Sequence, residues 1–249
     1  MDKLVLTFIG GCHVAGYLVE KSASFVDHLN GFFAPQRVHR MAYAKIEHLA
    51  QLLGHSQTTE ATVVFLQLGN FEFSASWKQI LATTTGLPAW VPNGSAKSKG
   101  LRAHSLEPGS IASTSPRHQA YYGFPGKPVV EAMKMAVGTA LYLFTWLVLR
   151  KYRLQFRALN QLIAQNPQTT FICMSPFPST AGAHNALRRL GGWIMQQRLQ
   201  ARSNLRWVDT HRVLHDKKGL FSADGIHLNE YGHRVLAQHL RAVCLTAAA

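Results

Sequence analysis

A cysteine near the start of the chain and a histidine near its end are the side chains best suited to chemistry. Cys12 directly follows a Gly-Gly pair, at the point where an apolar run ends. Asp224 and His227 stand three residues apart, just before a helical pattern. A thiol, an imidazole and a carboxylate can act as nucleophile, general base and orienting group. The sequence therefore predicts nucleophilic catalysis by Cys12, with His227 as the base and Asp224 as the group that orients it.

The stretch around Cys12 resembles a known sequence block. Residues 8–17 are similar, without a gap, to the first block of the SGNH (GDSL-type) hydrolases, which reads Gly-Asp-Ser with a further Gly a few residues later. Gly10 and Gly16 match that block. Gly11 stands where the family has its Asp, and Cys12 replaces the nucleophilic Ser.

Other blocks of the same family have counterparts farther along the chain. Residues 224–232 resemble the last block, which supplies the family's catalytic Asp and His. Residues 66–72 resemble the third block, normally Gly-x-Asn-Asp, although here Asn70 follows Gly69 directly. The Gly of the second block has no clear counterpart, and residues 40–44 occupy roughly its place.

The resemblance implies a cofactor-free enzyme that cleaves an ester or thioester and passes the acyl group to water or another acceptor. It implies an oxyanion hole made from the backbone N–H of Cys12, the side chain of Asn70 and a backbone N–H from Ala42 or Ala44. A turn residue is the alternative interpretation of Asn70. Glu72 either takes the carboxylate position after the family's Asn or lies at the surface.

The remaining predictions about the site concern His13 and the spacing of the other histidines. His13 directly follows the nucleophile, and it either contacts substrate, tunes the thiol, or is a packing or solvent-facing residue. We expect the last of these, because neighbouring side chains on a turn diverge. The other histidines lack the spacing of metal ligands, so the sequence predicts no metal.

Strand and helix patterns alternate along the chain and predict an α/β fold. Such alternation gives a parallel five-stranded sheet in a three-layer α/β/α sandwich, as the SGNH resemblance and flavodoxin-like folds also imply. We expect one domain over residues 1–249, with a mobile or disordered insertion at 92–127 that could cover the site. The predicted strands are 3–9, 36–39, 62–68, 169–174 and 205–208, and the predicted helices are 42–53, about 128–165, 183–202 and 230–243.

The net charge of the chain indicates which classes of partner it would attract. Lys and Arg total 26 against 12 Asp and Glu, for a net charge of +14. A basic surface attracts anions, so acyl carrier protein or acyl-coenzyme A are reasonable acyl donors, although solubility alone would also account for the charge. No nucleic-acid motif is visible, and aromatic residues do not interleave with the basic ones, so nucleic-acid binding is not expected.

The sequence also leads to expectations about the cellular compartment and about contact with a membrane. Only Asp2 and Lys3 follow the first Met before the first strand, so we expect no signal peptide and a cytoplasmic protein with reduced thiols. The segment 137–149 is apolar and is followed by basic residues. It is shorter than the roughly 20 residues of a spanning helix, so it predicts a buried helix, with a helix on a membrane surface as the alternative.

A non-catalytic binding protein on the same fold is the competing functional class. The change of the family's Ser to Cys12 and the absence of its Asp favour that class. The presence of both Asp224 and His227 favours an enzyme, because binding alone requires neither residue.

Overall fold

The computed structural model describes two long stretches of the chain and parts of the segment between them. The described residues are 4–55, 58, 60–70, 72–73, 129–130, 132–133, 136–140, 143, 152–180, 182–214 and 219–247. The predicted insertion at 92–127 lies outside these residues.

Among the described residues, five parallel strands form the central sheet, as the sequence predicted. They pair in the order β2-β1-β3-β4-β5. The apolar, β-branched composition of the inner strands fits a sheet that is covered on both faces. The strands are β1 (Val5–Gly10), β2 (Arg37–Met41), β3 (Val63–Gln67), β4 (Thr170–Met174) and β5 (Leu205–Val208).

Helices cover both faces of this sheet and complete the three layers. One layer holds α3, α4 and α5, and the other holds α1, α2, α6 and α7. In chain order the helices are α1 (Cys12–Ala15), α2 (Phe25–Phe33), a 3₁₀ turn (Ile46–His48), α3 (Leu49–Leu53), α4 (Arg153–Gln165), α5 (Gly182–Arg198), α6 (Thr210–Leu214) and α7 (Glu230–Ala247).

Successive strand residues point into opposite layers, which makes both cores apolar. Ile9 and Leu66 pack in the core beneath α3, α4 and α5. Phe8 and Phe65 pack against α2 and α7, and their rings stack with centroids 4.5 Å apart. This alternation fixes the register, because a slip of one residue would exchange the two faces of a strand.

The structure adds one helix to those predicted and corrects the start of two others. Helix α2 was missed, although Ser24 and Asp27 form a capping box at its start. The helix predicted over 42–53 begins only at Ile46, because Tyr43 has a left-handed φ of 59°. For the helix predicted over about 128–165, the described part α4 begins only after Tyr152, whose ψ of 14° departs from helical geometry.

The segment 137–149 does not show the burial that its composition predicted, at least where it is described. Residues 137–140 and 143 are helical, and Val137 and Leu143 are exposed. No helix among the described residues has both the length and the apolar character needed to cross a bilayer.

The topology places a crevice where the site residues were expected. The chain runs from β1 outward to β2 and then returns to β3 on the other side of β1. In open α/β sheets ligands bind at such a switch point, beyond the carboxyl ends of the strands. Cys12 follows β1 and Asn70 follows β3, so both lie at this edge.

Candidate active site

The turn after β1 is shaped by a close approach to β3. A Cβ atom at Gly10 would lie 2.6 Å from the backbone oxygen of Gln67, so no side chain fits there. The N–H of Gly11 donates to Oε1 of the buried Gln67 side chain at 3.0 Å. These two constraints fix the backbone that presents Cys12 as the first residue of α1.

Three side chains form a continuous hydrogen-bonded series. Sγ of Cys12 lies 3.1 Å from Nε2 of His227. Nδ1 of His227 lies 2.5 Å from Oδ2 of Asp224. The other carboxylate oxygen, Oδ1, accepts from the backbone N–H groups of Ile226 and His227 at 2.9 and 3.0 Å. The predicted proximity of thiol, imidazole and carboxylate is therefore observed.

The electrostatics of this series favour a charged imidazole. Burial raises the pKa of Asp224, but hydrogen bonds from His227 and from the Ile226 backbone outweigh it and hold the pKa at about 2. Burial lowers the pKa of His227, yet its hydrogen bonds to Asp224 and Cys12 and their negative charges raise it to about 9. At neutral pH the arrangement therefore favours an imidazolium at His227 beside the Asp224 carboxylate.

Asn70 is held so that its amide nitrogen is unpaired. Its Oδ1 accepts the backbone N–H of Phe177 at 2.7 Å, and the side chain is buried. Its Nδ2 has no hydrogen-bond partner within the described structure. Gly69 just before it has a φ of 90°, and a Cβ there would lie 2.8 Å from Pro176. A buried, anchored amide with a spare donor is the arrangement that an oxyanion hole needs.

The backbone N–H groups of Ala42 and Ala44 were the two candidates for a further oxyanion donor, and only that of Ala42 remains one. The N–H of Ala44 donates to the carbonyl of Gly10 at 2.8 Å, so it is already occupied. Ala42 follows β2, and the pairing of Met41 with Ile9 sets it beside the start of the turn at Gly10. Ala42 therefore stays the candidate for the third donor.

Glu72 is not a surface residue. Burial raises the pKa of its carboxyl group, and Oε1 accepts the backbone N–H of Ile46 at 2.6 Å. Glu72 thus holds the start of the 3₁₀ turn that follows the second-block segment.

His13 does not face solvent, and its side chain does not diverge from Cys12. It is 1% exposed, and its Nδ1 lies 3.6 Å from the sulfur of Cys12. Of the two expected alternatives the structure shows packing and not solvent exposure, and the expected divergence is wrong, because α1 begins at Cys12 and turns His13 inward onto Phe177.

The loop between β4 and α5 joins several parts of the site, and sequence reasoning missed it. Nη1 of Arg188 donates to the carbonyls of Phe177 and Pro178 at 3.1 and 3.3 Å. The N–H of Thr180 donates to the carbonyl of Gly225 at 2.8 Å. The pair Pro176 and Pro178 was a local signal of a rigid loop, but its partners lie far away in sequence.

Arg188 is also a buried cation near the reactive groups. It is 3% exposed, and burial lowers its pKa to about 10 against the opposing effect of the negative charges of Cys12 and Asp224. Among the described residues, no group of three or more His, Cys, Asp or Glu side chains could hold a metal ion.

Comparison with known proteins identifies the fold. No protein-family model and no curated protein matches the sequence. The structure is similar to that of the lipase Lip_vut3 from a goat rumen metagenome, with a TM-score of 0.53, 12% identity and 96% of each chain covered. It is also similar to a lipolytic protein of the G-D-S-L family from Desulfitobacterium hafniense, with a TM-score of 0.51, 12% identity, and 96% of this chain and 98% of that chain covered.

The chain has the SGNH (GDSL-type) hydrolase fold. A third similar structure, a gut microbial diltiazem-metabolizing enzyme, has a TM-score of 0.52 and 13% identity over 97% of this chain and 47% of that one. Within this fold, Cys12, His227 and Asp224 meet at the carboxyl edge of the sheet. His13, Gln67 and Arg188 are the neighbouring residues whose positions the sequence did not predict; Gln67 and Arg188 were not singled out at all.

Proposed function

We propose that this chain is an SGNH-type hydrolase or acyltransferase that uses Cys12 as its nucleophile. The observation that carries the proposal is the hydrogen-bonded series from the Cys12 sulfur through His227 to Asp224, with separations of 3.1 and 2.5 Å. Its position at the switch point of a fold shared with lipolytic proteins supports ester or thioester chemistry.

Acylation begins from the thiolate of Cys12 and the imidazolium of His227. Sγ attacks the carbonyl carbon of the substrate, so that a C–S bond forms and the carbonyl electrons move onto oxygen. The N–H of Cys12 and Nδ2 of Asn70 are the donors for that oxyanion. When the tetrahedral intermediate collapses, the bond to the leaving group breaks, and the leaving group takes the proton from Nε2 of His227.

Deacylation reverses the roles of the same groups. Neutral His227 accepts a proton from water or an acceptor alcohol, whose oxygen attacks the acyl-cysteine carbonyl. The C–S bond breaks, Cys12 leaves as the thiolate, and His227 is again an imidazolium. Asp224 keeps the imidazole oriented through its hydrogen bond to Nδ1 in both halves of the reaction.

The charge of the chain supports an anionic acyl donor. A net charge of +14 attracts carriers that hold acyl groups as thioesters and are themselves negative, such as acyl carrier protein or acyl-coenzyme A. Both donors belong to the cytoplasm, which is where a reactive, reduced thiol is maintained. A thiol nucleophile is well matched to thioester exchange.

The test is acyl labelling of Cys12 followed by intact-mass analysis. Wild-type protein incubated with acyl-coenzyme A, acyl carrier protein or a simple ester should gain one acyl mass, and C12A should gain none and show no turnover. C244A is the matched control, because it removes another thiol that is partly exposed. Full activity in C12A would overturn the assignment, and a wild-type protein that is inert to every donor would favour a binding protein on this fold.

A further inference from the structure

Two imidazole rings, and not one, contact the sulfur of Cys12. Nε2 of His227 lies 3.1 Å from it, and Nδ1 of His13 lies 3.6 Å from it, within hydrogen-bond reach for sulfur. The two rings are tilted by 34° with centroids 5.3 Å apart, so they approach the sulfur as separate partners. The catalytic scheme above gives a role only to His227.

The surroundings of His13 keep its ring neutral. Its ring packs edge-on against Phe177 with centroids 4.6 Å apart. Burial lowers the pKa of His13 well below its usual value, the charges of His227, His233 and Arg188 act in the same direction, and a hydrogen bond with the Ile226 backbone opposes them only in part. These three come from the turn before α7, from α7 and from α5, and of them His233 is itself neutral at neutral pH because burial lowers its pKa to about 3.

A neutral imidazole carries one proton, and the hydrogen-bond partners decide where it lies. Nε2 of His13 is buried and makes no hydrogen bond of normal geometry in the described structure, although the backbone of Ile226 interacts with the ring, whereas Nδ1 faces the sulfur. An anionic sulfur can only accept and is a stronger acceptor than a backbone carbonyl, so beside the thiolate the proton is better placed on Nδ1. That tautomer is assigned from these contacts, and it aims an N–H at Cys12.

We propose that neutral His13 donates its Nδ1–H to the thiolate of Cys12 and is a second residue that stabilises the reactive anion. Unlike His227, it does not exchange its proton during the reaction, because it stays neutral throughout. The thiolate would therefore have a second hydrogen-bond donor before it attacks the substrate, and again when Cys12 leaves the acyl group during deacylation. This inference rests on the proposed nucleophile, but it concerns the free thiol and requires no substrate.

The test is the pH profile of Cys12 alkylation by iodoacetamide, with the modified residue identified by mass spectrometry. The sulfur displaces iodide as the new S–C bond forms, so the rate follows the thiolate population. H13L removes the donor, and H13N, of nearly the same size, keeps an N–H donor near the Nδ1 position. The midpoint of the profile should rise by about one pH unit in H13L and stay near the wild-type value in H13N.

The comparison separates hydrogen bonding from packing. An unchanged midpoint in H13L, or an equal rise in H13L and H13N, would overturn the proposal. H13M is the replacement if H13L does not fold, because its flexible side chain fills the same space without a donor. Alkylation is independent of turnover, so an inert wild-type enzyme with the expected profiles would refute the proposed function alone. Turnover with unshifted profiles would refute the role of His13 alone.

Discussion

The dependence of activity on pH should change direction when Cys12 is replaced by Ser. The wild-type reaction requires a protonated His227 for the leaving group, and the pKa of His227 lies at about 9 because Asp224 and Cys12 outweigh its burial. Above that pH the proton is lost, so kcat/KM should fall about tenfold per pH unit. Below it, activity is limited only by the thiolate population.

In C12S the same imidazole must start neutral, because a Ser hydroxyl keeps its proton in the ground state. The negative charge of Cys12, and the charge-assisted hydrogen bond that His227 makes to it, raise the pKa of His227, and a neutral Ser hydroxyl supplies no such charge. The pKa of His227 should therefore fall below 9. The weak remaining kcat/KM should rise with pH through that lower midpoint and then level off.

The assay is hydrolysis of a simple alkyl ester between pH 5 and 10, because an alkoxide leaving group requires a proton. Values of kcat/KM report the ionisations of the free enzyme, which are the ones that the structure describes. Thermal melts at each pH serve as the control for unfolding. Two profiles that fall together above pH 9 would show that Cys12 and His227 do not react as a charged pair.

Further predictions concern other residues of the site and the charge of the chain. D224N should lower kcat/KM by about 10³ to 10⁴ through loss of imidazole orientation, whereas D209N, at the turn into α6, should leave activity near wild type; equal losses would contradict the assignment. N70D keeps the oxygen that accepts the Phe177 N–H but loses the Nδ2 donor. The kcat of this variant should therefore fall about 10²-fold, and an unchanged kcat would argue against an oxyanion role. Y43N should raise the free energy of unfolding in urea by about 1 kcal/mol, because Asn tolerates the left-handed φ of 59°, whereas Y17N should give no such gain. The kcat/KM for a carrier-bound donor should fall as salt rises beyond physiological ionic strength, where the screening length is about 8 Å, while that for a small neutral ester stays constant; parallel responses would count against an anionic donor.

The positions of the strands, and of the three side chains Cys12, Asp224 and His227, could be predicted because the sequence signals for them are local. The apolar runs in β1 and β3 mark buried parallel strands, and their carboxyl ends meet at one edge in any sheet of this class. Cys12 lies at the end of one such run, and Asp224 and His227 lie within one short turn. Their contact therefore required only the fold class.

The remaining features depend on contacts between distant parts of the chain. The orientation of His13 is decided by where α1 starts, and its burial by Phe177 and His233. The role of Gln67 follows from its distance to the turn after β1, which no spacing in the sequence encodes. In the sequence, Arg188 cannot be told apart from the many surface arginines. In the structure, its guanidinium donates to the backbone carbonyls of residues 177–178 and is thereby held in the interior.

The departures from the family's first block agree with one another under the proposed mechanism. Gly11 stands where the family has an Asp, and a Cβ there would lie 3.4 Å from Oε1 of Gln67, which already takes the Gly11 N–H. A carboxylate next to a Ser nucleophile opposes no negative charge before the reaction begins. Next to a thiolate, however, it would disfavour the reactive form by like-charge repulsion. A glycine backed by a neutral amide avoids that repulsion, and the buried cation Arg188 and the His13 N–H act in the opposite, stabilising direction. Under the proposed mechanism, the Ser-to-Cys and Asp-to-Gly differences are consistent with a single change in nucleophile chemistry.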